Sequence, residues 1–360
     1  MKNIVILATG GTIAGAGEQG KDIGYKSGSI KAQTLIDAIP DLKNVANICV
    51  EQVCNINSDD VTSEIWIALA KRIEELLQRN DVDGIVIMHG TDTMEETAFF
   101  LSLTLDGFGS RVVGDAADES VGCSGVVGNV AKPVILTGSM RPATAAEPDG
   151  PANLLFAVKS AVSCPPPSGH HLLVNAENTA GVYVAFAGKL MNARSVQKIH
   201  ANDLDAFAEI LPALSCSPTT CHAREGGHLP LEKAFDISNM RELPRVSVLY
   251  FNADADAELV RFTAERSAGL VIAGAGAGEF SREWADALLD VVSKNKIPVV
   301  ISTRINRGRI VPEQLLVPGT IAAYDLPPAK AAVLLRLALT ITNDPAAIQK
   351  FFETSYTLSS

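Results

Sequence analysis

Within its first 140 residues the chain three times runs a short apolar stretch directly into glycine and hydroxyl residues: IVILATGGT (4–12), GIVIMHGTDT (84–93) and KPVILTGSM (132–140). A short apolar run of this kind, broken by glycine and hydroxyl residues, reads as a strand. Strands are expected near 3–8, 84–89, 132–137 and 170–174, with amphipathic helical segments at 62–79 and 94–105 between them. Strand, helix, strand in alternation means a parallel sheet with crossover helices, an α/β fold. In open sheets of this kind ligands gather beyond the carboxyl ends of the strands. The residues just past each strand are therefore the ones to search for chemistry.

At 360 residues the chain exceeds the usual size of a single core, so two domains are expected. The stretch EGGHLPLEKAFDISNMRELP (225–244) is polar and proline-punctuated, and after it the alternation restarts with RVSVLYF, GLVIAGAG and IPVVIST. The expected division is an N-terminal domain over 1–228, a linker over 229–244 and a C-terminal domain over 245–360. Pro327 with Pro328 suits one helix start near the end of the chain, and Asp344 with Pro345 another. Segments 106–131, 164–171 and 215–228 are rich in small and turn-forming residues and are expected to be mobile surface excursions.

With 41 acidic against 30 basic side chains the net charge is −11, and no Lys/Arg stripe could follow a phosphate backbone, so nucleic acid is not an expected partner. No apolar stretch approaches the length of a membrane span, and the opening apolar run is too short for a signal-peptide core. A cytoplasmic location is expected, or a periplasmic one if a leader has been removed. Six cysteines at 49, 54, 123, 164, 216 and 221 are scattered through a large chain, so reduced thiols are expected. Cys216, Cys221, His222 and His228 cluster, but Cys-x4-Cys-His lacks zinc-finger spacing, and no metal is expected.

The glycine-rich stretch 8–25, ATGGTIAGAGEQGKDIGY, poses a choice between a phosphate cradle and a loop carrying a nucleophile. Gly15, Gly17 and Gly20 spell G-x-G-x-x-G, yet no helical periodicity follows, which removes the dinucleotide fingerprint. What remains is a loop with Thr12 at its start and Tyr25 at its end, suited to cover a substrate and expel water. A threonine hydroxyl needs a base or a proton path to act as a nucleophile, and HGTDTMEET (89–97) offers one. Taken alone, Asp92 or Thr93 would simply cap the helix that follows, with Glu95 and Glu96 in its first turn.

Together, ATGGTIAG and HGTDTMEETA resemble the two signatures of the bacterial-type L-asparaginase/glutaminase family, of its type II-like branch. The segment MRP…DGPANLL (140–155) and LLRLALT near the C-terminus extend the resemblance along nearly the whole chain. It implies a larger N-terminal, mostly parallel sheet domain with flanking helices and a smaller C-terminal α/β domain. It also implies a homotetramer, a dimer of dimers, with each site between one subunit's N-terminal domain and its neighbour's C-terminal domain. By the resemblance, Thr12 is the nucleophile and Tyr25 assists it from the loop, while Thr91, Asp92 and Lys198 form a second catalytic group. Ser58 would hold the substrate α-carboxylate, and Thr91 and Asp92 would also contact the substrate. The implied reaction is acyl transfer from a small amino-acid amide, asparagine before glutamine, with no cofactor.

Two positions depart from the family pattern: Asp59 stands where many relatives carry glutamine, and Glu279 where Asn or Ser is common. Both are expected near the substrate α-amino group. Glu313 is a candidate for an acidic residue donated by a neighbouring subunit. An ammonia-supplying subunit of a tRNA-dependent amidotransferase and a non-catalytic amino-acid sensor stand as alternative readings.

Overall fold

The computed structural model describes residues 1–21, 24, 26, 28–105, 132–163, 181–210 and 235–357. The three expected surface excursions, the strand expected at 170–174 and Tyr25 lie outside the described residues, as do Cys123, Cys164, Cys216, Cys221, His222 and His228. The described chain divides into two compact units, one holding residues 1–209 and 235–239, the other 210 and 240–357.

The first unit opens with β1 (Asn3–Gly10), α1 (Ala32–Asp37), α2 (Leu42–Val45), β2 (Asn47–Ile56), α3 (Ser63–Leu77), β3 (Gly84–Met88) and α4 (Met94–Thr104). It continues with β4 (Val134–Thr137), α5 (Gly150–Ser163), β5 (Val182–Phe186), β6 (Lys189–Asn192), β7 (Val196–Lys198) and β8 (Phe207–Glu209). Six strands form one sheet in the order β2-β1-β3-β4-β5-β6. All neighbours run parallel except the β5–β6 hairpin. In register, Ile4 to Ala8 face Gly84 to Met88, and Ile85 to Met88 face Val134 to Thr137, so the three glycine-hydroxyl exits leave the sheet at one edge.

Every residue of β3, β4 and β5 is buried, which is what an uninterrupted apolar strand requires in a sheet covered on both faces. One face packs Ile4, Ile6, Val86 and Ile135 against Leu154, Ala157 and Val158 of α5. Trp66 of α3 stacks on Phe100 of α4 with ring centroids 5.2 Å apart. That stack joins the helices that flank the HGTDT segment, in the offset geometry aromatic pairs favour.

The second unit holds β9 (Val246–Tyr250), α6 (Glu258–Ala264), β10 (Gly269–Gly274), α7 (Arg282–Asp290), β11 (Val299–Thr303), β12 (Ile321–Ala322), α8 (Pro328–Ala338) and α9 (Pro345–Thr357). Its four strands are all parallel, in the order β12-β11-β10-β9. Its core gathers Leu270, Ile272, Trp284, Leu288, Val299 and Ile301. α8 begins at Pro328, directly after Pro327. Asp344 accepts the Ala347 amide at 3.0 Å, so its carboxylate satisfies one of the orphan amides at the start of α9. The molecule is thus α/β, with a large, mostly parallel sheet domain and a smaller parallel-sheet domain.

Candidate active site

The exit of β1 is built by glycine. Gly11 has φ +78°, and a Cβ there would lie 2.6 Å from the Cα of Gly90, so only glycine permits this approach of two backbones. A Cβ on Gly90 would in turn lie 2.7 Å from Ser58 Oγ. Stretches 10–12 and 89–93 therefore meet backbone to backbone, and Ser58 packs its side chain against Gly90. Thr12 and Thr91 each follow one of the two touching glycines.

Thr12 begins a short 3-10 turn, Thr12–Ala14, whose carbonyl accepts the Gly15 amide at 2.8 Å. The glycine loop then folds on itself: Ala16 and Lys26 exchange both backbone hydrogen bonds, at 3.0 and 2.9 Å. It is also tied to the segment after β4, because the Gly17 amide donates to Thr144 Oγ1 and the Gly20 amide to the Thr144 carbonyl.

Ser58 is buried, and its Oγ accepts the Asp92 amide at 3.2 Å while its carbonyl accepts the Thr93 hydroxyl at 2.7 Å. This corrects the capping expectation. Thr93 occupies the position before α4 but spends its hydroxyl on Ser58 and makes no side-chain capping hydrogen bond to the helix. The Asp92 carboxylate instead accepts Lys198 Nζ at 2.6 Å. The same Nζ donates to Thr91 Oγ1 at 2.9 Å. Thr91, Asp92 and Lys198 thus form one hydrogen-bonded group, with Thr91 buried, Lys198 16% exposed and Asp92 68% exposed. An ion pair this open adds little stability. Its value lies in where it holds the ammonium.

Two further residues shape this group, although the sequence assigns neither a role in the site. Glu95 Oε2 accepts the backbone amide of Lys198 at 2.6 Å. His89, 1% exposed, lies 2.7 Å through Nδ1 from the Gly90 carbonyl and 3.1 Å through Nε2 from Thr97 Oγ1. A carbonyl can only accept, so Nδ1 carries the proton and Nε2 accepts from the Thr97 hydroxyl. Thr97 Oγ1 itself accepts Trp66 Nε1 at 2.9 Å. Burial pushes the His89 pKa down, opposed by the Gly90 hydrogen bond, which agrees with a neutral ring.

Asp59 lies in the short turn Ser58–Asp60 with its side chain exposed. Glu279 belongs to the second unit, where its backbone pairs with Ala275 in a tight turn past β10, and it is exposed. Glu313 sits on the exposed turn Pro312–Gln314, also in the second unit. Among the described residues no group of acidic, His and Cys side chains could hold a metal ion, and no helix is long and apolar enough to cross a membrane.

The family model described as "Asparaginase, N-terminal" matches residues 3–117 and 120–215, and the "Glutaminase/Asparaginase C-terminal domain" matches 245–352. The chain is 37% identical to L-asparaginase 2 of Bacillus subtilis, over 98% of this chain and 86% of that protein. It is 36% identical to a protein of Haemophilus influenzae named "Probable L-asparaginase periplasmic", over 98% of this chain and 93% of that one. The crystal structure of a "Probable Cytoplasmic L-asparaginase" from Campylobacter jejuni aligns with a TM-score of 0.75 and 36% identity, covering 98% of this chain and 99% of that one. Matched from its first strand to its last helix, the chain belongs to the asparaginase/glutaminase family.

Proposed function

We propose that this protein is an amidohydrolase that converts L-asparagine to L-aspartate and ammonia through a threonine acyl-enzyme, with L-glutamine as a poorer substrate. The observation that carries the reading is the Thr91–Lys198–Asp92 group, hydrogen-bonded at 2.9 and 2.6 Å beside the glycine contact from which Thr12 departs. The names of the relatives support it.

In this mechanism the Thr12 hydroxyl oxygen attacks the side-chain amide carbon, and its proton passes to the departing nitrogen, which leaves as ammonia. Water then attacks the ester, and the Thr12 hydroxyl is restored as aspartate leaves. Thr91 supplies a positioned hydroxyl whose partner, Lys198, can relay a proton and face developing negative charge. Asp92 holds that ammonium in place. Tyr25 assists Thr12 from the loop, and Ser58 holds the α-carboxylate. Asp59 and Glu279 favour the substrate ammonium, and crowding there disfavours the longer glutamine side chain. The domain division at 228 and 245, a homotetramer built as a dimer of dimers, and a cytoplasmic location, or a periplasmic one after loss of a leader, belong to the same proposal. Light scattering on the purified protein should then report about four times the 38.0 kDa subunit mass.

Ammonia release from asparagine by the isolated protein, without ATP or a partner, tests the reading. Glutamine should be turned over with a kcat/KM about 10- to 100-fold lower, the discrimination that one methylene supports. Equal kcat/KM for the two amides contradicts the substrate order. Binding without release points to a sensor, and release that requires a partner protein points to an ammonia-supplying subunit.

A further inference from the structure

We infer that Glu95 is a positioning residue for Lys198, fixing the backbone end of the lysine whose ammonium Asp92 and Thr91 fix at the other. This rests on the catalytic role proposed above for Lys198.

β7 pairs with β8 in an antiparallel ribbon that is two-stranded among the described residues, with Lys198 opposite Phe207. Successive amides of a strand point to opposite sides. The Ile199 amide reaches the Ala206 carbonyl across the ribbon at 2.8 Å, so the Lys198 amide faces outward along the edge. An edge amide that is half withdrawn from water needs an acceptor. The ribbon supplies none on that side, and the first turn of α4 does.

Glu95 suits the task for three reasons. It is half-buried in the first turn of α4, where the helix dipole favours a carboxylate. Its Oε2 accepts an amide 103 positions away in sequence at 2.6 Å, the short distance of a charge-assisted hydrogen bond. It also stands three residues after Asp92, so both carboxylates that grip Lys198 are carried by one rigid start of a helix. A lysine held only at its ammonium could reach Thr91 from many backbone positions. Held at both ends, it is confined to one, and misplacement of a reacting group by about 1 Å costs on the order of 100-fold in rate.

The test is a double-mutant cycle on the full-length protein, measuring kcat and KM for asparagine with the thermal midpoint as a control. Glu95→Ala should lower kcat about 10- to 100-fold with KM nearly unchanged, and Glu95→Gln, which keeps an acceptor oxygen, should recover most of it. In a Lys198→Ala background, Glu95→Ala should have no further effect on kcat, because the residue acts only through Lys198. If Glu95→Ala folds poorly, Glu95→Gln carries the same cycle with a smaller effect that must also vanish without Lys198. Wild-type kcat in Glu95→Ala overturns the inference, and so does an equal loss in both backgrounds. Those results leave the catalytic role of Lys198 standing, whereas full activity in Lys198→Ala removes that role and the inference together.

Discussion

His89 shows how much a single side chain can do without meeting substrate. Its ring is buried between the Thr97 hydroxyl and the Gly90 carbonyl, and so it fixes the peptide that precedes Thr91. Burial lowers its pKa in the folded state, so as pH falls through the ordinary value of about 6.5 the unfolded chain takes up the proton first. The contribution of His89 is therefore complete above that pH and is lost below it, at up to ~1.4 kcal/mol per pH unit until the folded-state pKa is reached. The thermal midpoint of the wild type should fall between pH 6.5 and 5 more steeply than that of His89→Asn; parallel curves contradict the account. Thr91 and Asp92 were legible in the sequence because HGTDT names them at a strand exit. His89 and Glu95 were not, because their partners, Thr97 with Gly90 and the Lys198 amide, are set by packing and not by spacing. Taken without the resemblance, Asp92 and Thr93 looked like ordinary caps; in the fold their side chains go to Lys198 and Ser58 instead.

At the scale of elements, the buried strands β1, β3, β4, β10 and β11 were readable because a strand covered on both faces must be apolar throughout. β2 was missed for the opposite reason. Its sequence NICVEQVCNI alternates polar with apolar residues at the sheet edge, and Glu51, Gln52 and Asn55 break the apolar pattern. That edge matters, because β2 leads directly into Ser58. Arg72 of α3 forks onto Glu51 at 2.8 Å through both Nε and Nη2 and holds the Glu51 carboxyl below its ordinary pKa. α5 was missed as well, since GPANLLFAVKSAVS opens with glycine and proline and is apolar over most of its turns. The element exits themselves make a sharp prediction. Gly90→Ala places a methyl 2.7 Å from Ser58 Oγ and 2.8 Å from Ser58 Cβ, and the Cβ cannot swing away by a change of rotamer. The cost is about 1–3 kcal/mol of overpacking, and because Ser58 is assigned to the α-carboxylate, KM for asparagine should rise as the thermal midpoint falls. An unchanged KM separates Ser58 from substrate binding.

For the molecule as a whole, the alternation of strand and helix and its restart after residue 244 made two α/β units expected, and two are present. Cys49 and Cys54, the cysteines among the described residues, are free thiols. The first unit alone gathers Thr12, Ser58, Thr91, Asp92 and Lys198, whereas Glu279 lies in the second. The central claim is that Thr12 carries the acyl group while the Thr91–Lys198–Asp92 group discharges it. Intact-mass spectrometry after brief exposure to asparagine tests this on the whole protein. Thr91→Ala should turn over about 100- to 1000-fold more slowly and accumulate an aspartyl-sized mass increase, and Thr12→Ala should show none. An adduct that persists in Thr12→Ala and vanishes in Thr91→Ala contradicts the account and makes Thr91 the nucleophile.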